Sequence, residues 1–398
     1  MPDEISFGQR VQAVRRRRGL TQRELATAAG VSISLITKLE QDAVTDVRME
    51  TARKIATALR VATTALMTGP DAAPADDSDA GQWEAVRRAL EGRPAAHLAD
   101  EPTLDGLRQA FQDAIPLVLD SRYAELRAIL PGLLRDADAL VASSANGTEG
   151  AARDLRSQIR QLTAYMMGQT WQFDAANDAI SLAADDASER LTALAAADWK
   201  CWALLRQGRL AETTVLASRW ADDAEPRRIS RATADDLAAW GRCLILVSTA
   251  AIRDNRPGEA KDALKLARMA ATGVGRDVIP QFNPWQVFGP VTVSMVHAEN
   301  AIIQDRPDIT LNVAGQISGA GFPVPRNWNR HRLDVANAYA AKRQHTEAAQ
   351  VLAEVHGKAP EWLAQQRYAR DIVSKIISSR RTLTPEMHEL ASAVRLPC

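Results

Sequence analysis

The side chains best suited to metal binding or nucleophilic chemistry are six histidines and three cysteines, and their spacing serves neither. His97, His297, His331, His345, His356 and His388 are scattered, with no pair at metal-ligand spacing. Cys201, Cys243 and Cys398 form no CxxC pair. The expectation is therefore two packed core thiols and one terminal thiol, not a zinc ribbon or a disulfide framework. No GxSxG, HExxH, GxxxxGK[ST] or GxGxxG occurs. These absences predict a protein that is not an enzyme and carries no metal or cofactor. The other chemical resource is tryptophan, whose indole offers a flat apolar wall and one N–H donor. Trp171, Trp199, Trp202, Trp220, Trp240, Trp285, Trp328 and Trp362 all lie beyond residue 170.

Charge is distributed unevenly. The 398-residue chain is neutral overall, yet residues 1–69 hold eleven Lys/Arg against seven Asp/Glu, which leaves the remainder net negative. A basic head on an acidic body is the asymmetry expected when only the head meets phosphate. Ala, Leu, Arg, Glu and Asp dominate the runs and alternating Val/Thr stretches are scarce, so the fold class is predicted to be all-α. No apolar run reaches the roughly 18–20 residues that span a bilayer, and the opening MPDEISFGQR lacks the apolar centre of a signal peptide. A soluble, cytoplasmic protein is expected.

The elements of the head follow from local signals. Phe7, Val11 and Val14 share one face of a first helix from Ser6, with Arg10, Arg15, Arg16 and Arg17 opposite, and Arg18-Gly19 ends it. Thr21 with Glu24 is a capping box opening a second helix, Gln22 to about Ala29. Gly30 supplies a sharp turn, and Ser32 caps a third helix to about Gln41. Ala26 lets the second and third helices cross closely, and Ile36 plugs the core between them beside Leu25, Val31 and Leu39. A fourth helix spans Met49 to Leu59, with a shorter fifth from Ala62 to Met67.

The stretch GLTQRELATAAGVSISLITKLEQ followed by METARKIATALRV resembles the phage-repressor/Cro-type (XRE) helix-turn-helix family over residues 6–68. The resemblance implies that the third helix lies in the major groove of double-stranded DNA. Ile33, Ser34 and Lys38 then become candidate base contacts, with Thr37 beside them. Lys38 would reach guanine O6/N7 and Ile33 a thymine methyl. Gln22 and Ser32 would sit at phosphates, with Arg15, Arg16 and Arg48 adding positive charge. Asp42 and Asp46 follow the third helix, where the family usually carries Gly and basic residues. Two acids there weaken phosphate contact, so affinity is expected to come from a homodimer on a palindromic operator.

Residues 69–82, GPDAAPADDSDAGQ, read as an acidic flexible linker separating the head, residues 1–68, from a body of residues 83–398. Five helix–turn–helix units recur in the body: GQTWQFDAANDAISLAA, LLRQGRLAETTVLAS, IRDNRPGEAKDALKLA, IIQDRPDITLNVAG and AAKRQHTEAAQVLAE. Their closing alanines, Ala183, Ala217, Ala267, Ala314 and Ala353, are spaced by 34, 50, 47 and 39 residues. This resembles a degenerate tetratricopeptide array, an α-solenoid whose concave face takes peptides or ligands. The whole also resembles actinobacterial-type regulators joining a Cro-type head to such an array, on RYAELRAILPGLL, FGPVTVSMVHAEN, RHRLDVANAYAA and KAPEWLAQQRYARDIV.

Most tryptophans of an array pack between helices. Trp240, Trp285 and Trp328 fall where first helices of successive units build the concave face, so with Phe288, Asn300 and Arg330 they are candidates for a ligand pocket. His297 and His331 read as hydrogen-bonded helix histidines, with a pocket donor as the alternative. Two functions are compatible with this sequence. One is a dimeric regulator controlled by a small-molecule or peptide effector. The other is a DNA-tethered scaffold that recruits a protein and needs no effector.

Overall fold

The computed structural model describes residues 6–44, 47–66, 81–92, 101–144, 147–379 and 384–396. Among them are twenty α-helices and no strand, so the fold is all-α. The head comprises α1 (Phe7–Arg17), α2 (Gln22–Ala29), α3 (Ile33–Glu40) and α4 (Met49–Leu59), followed by a 3-10 turn at Thr63–Ala65. The last replaces the fifth helix expected from Ala62, whose other end, Met67, lies outside the described residues. Most of the linker lies outside them as well; Gly81–Trp83 form a 3-10 turn.

The head's core is Val11, Leu25, Ile36, Leu39, Ile55, Leu59 and their neighbours, all but fully buried. The Thr21–Glu24 capping box is present, and Gly30 ends α2 at φ 64°. In that left-handed turn the Val31 N–H reaches back to the Ala26 carbonyl at 3.0 Å. Gly8, which carries no sequence signal, allows the closest approach: a Cβ there would lie 1.7 Å from the Leu39 carbonyl oxygen, so α1 and α3 touch backbone to backbone.

The body begins with α5 (Glu84–Leu90) and continues as six helical hairpins. These are α6 (Leu104–Leu119) with α7 (Tyr123–Ser143), α8 (Glu149–Gln169) with α9 (Phe173–Asp186), and α10 (Arg190–Arg206) with α11 (Leu210–Ala224). They continue with α12 (Ala234–Arg253) and α13 (Pro257–Val274), α14 (Pro290–Ile303) and α15 (Pro307–Gln316), and α16 (Pro325–Ala341) and α17 (His345–Lys358). Short α18 (Pro360–Ala364), α19 (Arg367–Ser378) and α20 (Pro385–Ala393) close the chain.

One turn closes all six hairpins. Ser121, Trp171, Gly208, Asn255, Asp305 and Arg343 each hold φ between 56° and 75°. In every case the next residue sends its N–H back five residues: Arg122 to Leu117, Gln172 to Met167, Arg209 to Leu204, Arg256 to Ala251, Arg306 to Ala301 and Gln344 to Tyr339, at 2.8–3.0 Å. This is the Schellman closure, which satisfies helix carbonyls while reversing the chain. Five of these turns fall in the five units read from the sequence; the α6–α7 turn is a sixth. Pro257 and Pro307 start the second helix directly after it, where a missing N–H costs nothing.

The array curves until its ends meet. Trp171 Nε1 donates to the Gln365 carbonyl at 3.2 Å, Gln366 Nε2 donates to Gln169 Oε1 at 3.3 Å, and Glu361 caps α7 by accepting from the Ala124 N–H at 3.1 Å. A single apolar cluster consequently runs from Trp83 to Val394. Its interior is plugged by the segment between α13 and α14, where Pro280 and Pro284 prevent helix. Trp285 from this segment is fully buried, stacked on Trp199 at 5.9 Å and edge-on to Phe111 at 6.0 Å.

The head is seated on the α12–α13 turn. Thr63 is fully buried, and its hydroxyl donates to the Arg253 carbonyl at 2.9 Å. The Thr64 N–H donates to Asp254 Oδ1 at 2.8 Å, and Asn255 Nδ2 donates to the Val61 carbonyl at 3.3 Å. Arg48 pairs with Asp371 of α19 at 2.5 Å.

Candidate DNA-binding face

This docking leaves the outer face of α3 free. Ser32 caps the helix by accepting from the Leu35 N–H at 3.1 Å, and Ile36 and Leu39 anchor its inner face. Ile33, Ser34 and Lys38 point outward, and Thr37 is half-buried. Ile33 is 45% exposed, an apolar residue spent on solvent where no protein neighbour covers it. An exposed β-branched chain beside a hydroxyl and a cation is the mixture that reads thymine methyls and guanine edges.

Gln22 is held in place from below. Its Nε2 donates to Glu40 Oε2 at 2.9 Å, and the Thr37 hydroxyl donates toward its Oε1 at 3.1 Å. Glu40 is itself buried and receives two hydrogen bonds from Arg15, at 2.6 and 2.7 Å. Burial alone would raise the Glu40 pKa, but hydrogen bonds from Arg15, Gln22 and Gln12 hold it below the usual carboxylate range. Donating to Glu40 in turn raises the Arg15 pKa. Sequence reading placed Arg15 with Arg16 as charge for phosphate, whereas only Arg16 faces solvent. The Arg15 guanidinium is spent internally, on Glu40 and on the Leu20 carbonyl at 2.7 Å. Its i+4 spacing from the α1 core residue Val11 was the available signal, since that spacing turns it partly inward.

Asp42, counted from sequence as an acid beside the phosphates, is occupied too. Its carboxylate accepts from the Ser6 hydroxyl and from Gln9 Nε2 at the start of α1, where the helix dipole favours a negative charge. Asp46 lies outside the described residues. Arg48 is exposed and pairs with Asp371, so its charge is shared with the body.

The residues proposed from sequence for a ligand pocket are not brought together. Trp240 and Phe288 are core side chains of one cluster, and Phe288 lies against Gly241, where a Cβ would come within 2.0 Å of its ring. Asn300 is buried and donates to Ser248 Oγ at 2.8 Å. Trp285 lies in the plug between helices and not in a first helix, because of the two prolines around it. Trp328 borders a cavity of about 500 Å3 with Asp120, Phe322, Asn329 and Lys358, its indole resting on Gly319. Arg330 enters a charge network: it pairs with Glu299 and Asp334, both at 2.8 Å, and stacks over Tyr368 at 4.6 Å. Glu299 also holds Arg253 at 2.7 Å, on the turn that carries the head.

His331 is buried beside Trp328, and its Nδ1 has no hydrogen-bond partner among the described residues. Burial and the charges of Arg332 and Arg330 push its pKa down to about 4, which leaves the ring neutral near pH 7. Burial also lowers the half-exposed His297. Cys201 and Cys243 are core thiols, as expected, and burial pushes both up; Cys398 lies outside the described residues.

Residues 11–66 match the family model described as helix-turn-helix. Neither the curated proteins nor the solved structures contain a match to this chain. The head is a helix-turn-helix of the XRE type, a DNA-binding unit of transcription regulators. No helix of the described residues is long and apolar enough to cross a membrane.

Proposed function

We propose that this protein is a non-enzymatic, cytoplasmic transcription regulator that binds a palindromic operator as a homodimer and is controlled by a ligand held in its helical array. The observation that carries the reading is the exposed outer face of α3, with Ile33, Ser34 and Lys38 presented while α4 and the Thr63 turn are used for docking. Base reading falls to these three side chains, and Gln22, Ser32 and Arg16 position the head on phosphates. The acidic stretch of residues 69–82, a linker by its sequence, joins it to a tetratricopeptide-like body. An effector in the body can bias the heads only by binding one head arrangement more tightly than another.

Footprinting of genomic fragments, including the protein's own promoter, across a salt series tests this. The expected result is two symmetric half-sites one helical turn apart, about 34 Å, with protection falling steeply as salt rises. Uniform, sequence-blind protection at every salt concentration would overturn it.

A further inference from the structure

Where the two ends of the array meet, four flat or planar groups alternate. The Arg206 guanidinium lies over the Trp171 ring at 4.5 Å and over the Trp202 ring at 5.1 Å, and Arg367 covers Trp171 at 3.6 Å. Trp202 fits because its partner position is Gly168, where a Cβ would fall 2.4 Å from the indole. Deeper in, Arg326 lies over Tyr165 at 4.5 Å, and the Tyr165 and Tyr123 hydroxyls are 3.5 Å apart.

The donors outnumber the acceptors here. Arg326 is 5% exposed; its Nη2 donates to the Trp285 carbonyl, and its Nη1 is buried without a partner. Arg206 Nε and Nη2 are likewise buried and unpartnered. Among the described residues no carboxylate pairs with either guanidinium. Elsewhere in the interior, charges are matched: Arg242 with Asp198, and Arg253 and Arg330 with Glu299 and Asp334. Burial first, and then the like charges of Arg367 and Arg330, lower the Arg206 pKa to about 10. A buried cation without a counter-ion is expensive, whereas an oxyanion brought between two such forks makes strong charge-assisted hydrogen bonds. Trp171, Trp202, Arg206 and Arg367 are each partly open to solvent, so the stack is approached from outside.

We infer that this junction is a binding site for a small organic anion, a carboxylate or phosphate on a flat apolar body, received by Arg206 and Arg326 between the rings of Trp171, Trp202 and Tyr165. The inference rests on the effector reading above and gives that effector a chemistry and a place. Trp171 stands at a left-handed turn position, φ 64°, held in the equivalent turns by Ser121, Gly208, Asn255, Asp305 and Arg343. A bulky residue held there is strained, and its indole separates two arginines.

Intrinsic tryptophan fluorescence and calorimetry of the full chain, titrated with benzoate, phenyl phosphate and benzamide, test the site. Saturable binding of benzoate or phenyl phosphate, but not of neutral benzamide, is expected, and the preferred anion distinguishes carboxylate from phosphate. Arg206→Gln and Arg326→Gln should each weaken it at least about tenfold, while Lys265→Gln, which removes an exposed cation from α13, leaves it unchanged. The unliganded Arg206→Gln protein should melt at the same temperature as wild type or higher, because an uncompensated charge is gone. No saturable binding, equal binding of benzamide, binding retained in both arginine variants, or a lower melting temperature for Arg206→Gln would each overturn the site. Operator footprints recorded in parallel keep the two readings apart. Anion binding that leaves the footprint unchanged removes the effector role and keeps the site. An intact footprint without anion binding removes the site and keeps the DNA-binding reading.

Discussion

Arg15 in the head and Arg206 in the body both stand near the end of a helix with their guanidiniums largely enclosed. Arg15 meets a carboxylate at 2.6 Å; Arg206 meets two indole faces and no carboxylate. The head therefore matches its buried charge within itself and keeps the outer face of α3 exposed. The body keeps its unmatched charge inside. One region is finished as folded, and the other is complete only when something anionic arrives.

The same substitution in the two places gives the largest test of that contrast. Arg15→Met leaves Glu40 buried and unpaired and should cost the head about 3–5 kcal/mol, read by denaturant unfolding, with operator binding lost alongside. Arg206→Met should cost nothing or stabilise. Equal losses at both sites would erase the distinction.

A second test uses pH, again setting a buried group without a counter-charge against paired ones. His331 is held down to about 4 against an unperturbed value near 6.5. Between those limits the unfolded chain binds a proton that the folded chain refuses, so stability falls as pH drops through that window, by up to roughly 3 kcal/mol. Asp334, raised to about 6 chiefly by burial, works in the opposite direction. The difference between the wild-type and His331→Gln melting curves from pH 7 to pH 4 isolates the histidine. Parallel curves would show that its ring is protonated in the fold.

Smaller effects probe the head's outer face and its seat. Lys38→Ala should leave the melting temperature unchanged and cost about 1–3 kcal/mol of discrimination at one operator base pair, measured by footprinting matched and mismatched sites. Asp254→Ala removes the acceptor for the Thr64 N–H and should cost about 1 kcal/mol. Its signature is faster hydrogen exchange at Thr63–Leu66 with the α3 amides unaffected.

The head was legible in the sequence because its instructions are local. Thr21 and Glu24 lie three residues apart, and Ala26, Gly30 and Ile36 fall within one short stretch, so a reader needs no knowledge of distant contacts. What escaped was the Arg15–Glu40 pair, which joins α1 to α3. The body's helix pairs were legible at five turns, where Gly208, Asn255-Arg256-Pro257, Asp305-Arg306-Pro307 and similar runs announce a stop. The sixth, at Ser121, was not read from the sequence; a residue other than Gly or Asn also holds the left-handed position at Trp171, Asp305 and Arg343. The interior was not legible. Arg206 and Arg326 carry no motif, and the junction that holds them exists only because the array closes, bringing Trp171 onto Gln365 across 194 residues. Proximity to the concave face, the basis on which Trp240 and Phe288 were singled out, does not distinguish a lining residue from a packed one.

The seat of the head on the α12–α13 turn has a consequence for how such a protein can be re-engineered or diversified. A domain joined by a tether alone can be exchanged for another with a different target sequence, and the new fusion inherits the control of the old one. Here the exchange would carry a condition. An incoming domain needs hydroxyl and amide groups where Thr63 and Thr64 meet Arg253 and Asp254, and a carbonyl for Asn255, or it will hang free of the body. Two chimeras with identical target specificity would then differ in how the head sits on the body, according to whether the graft keeps residues 61–64.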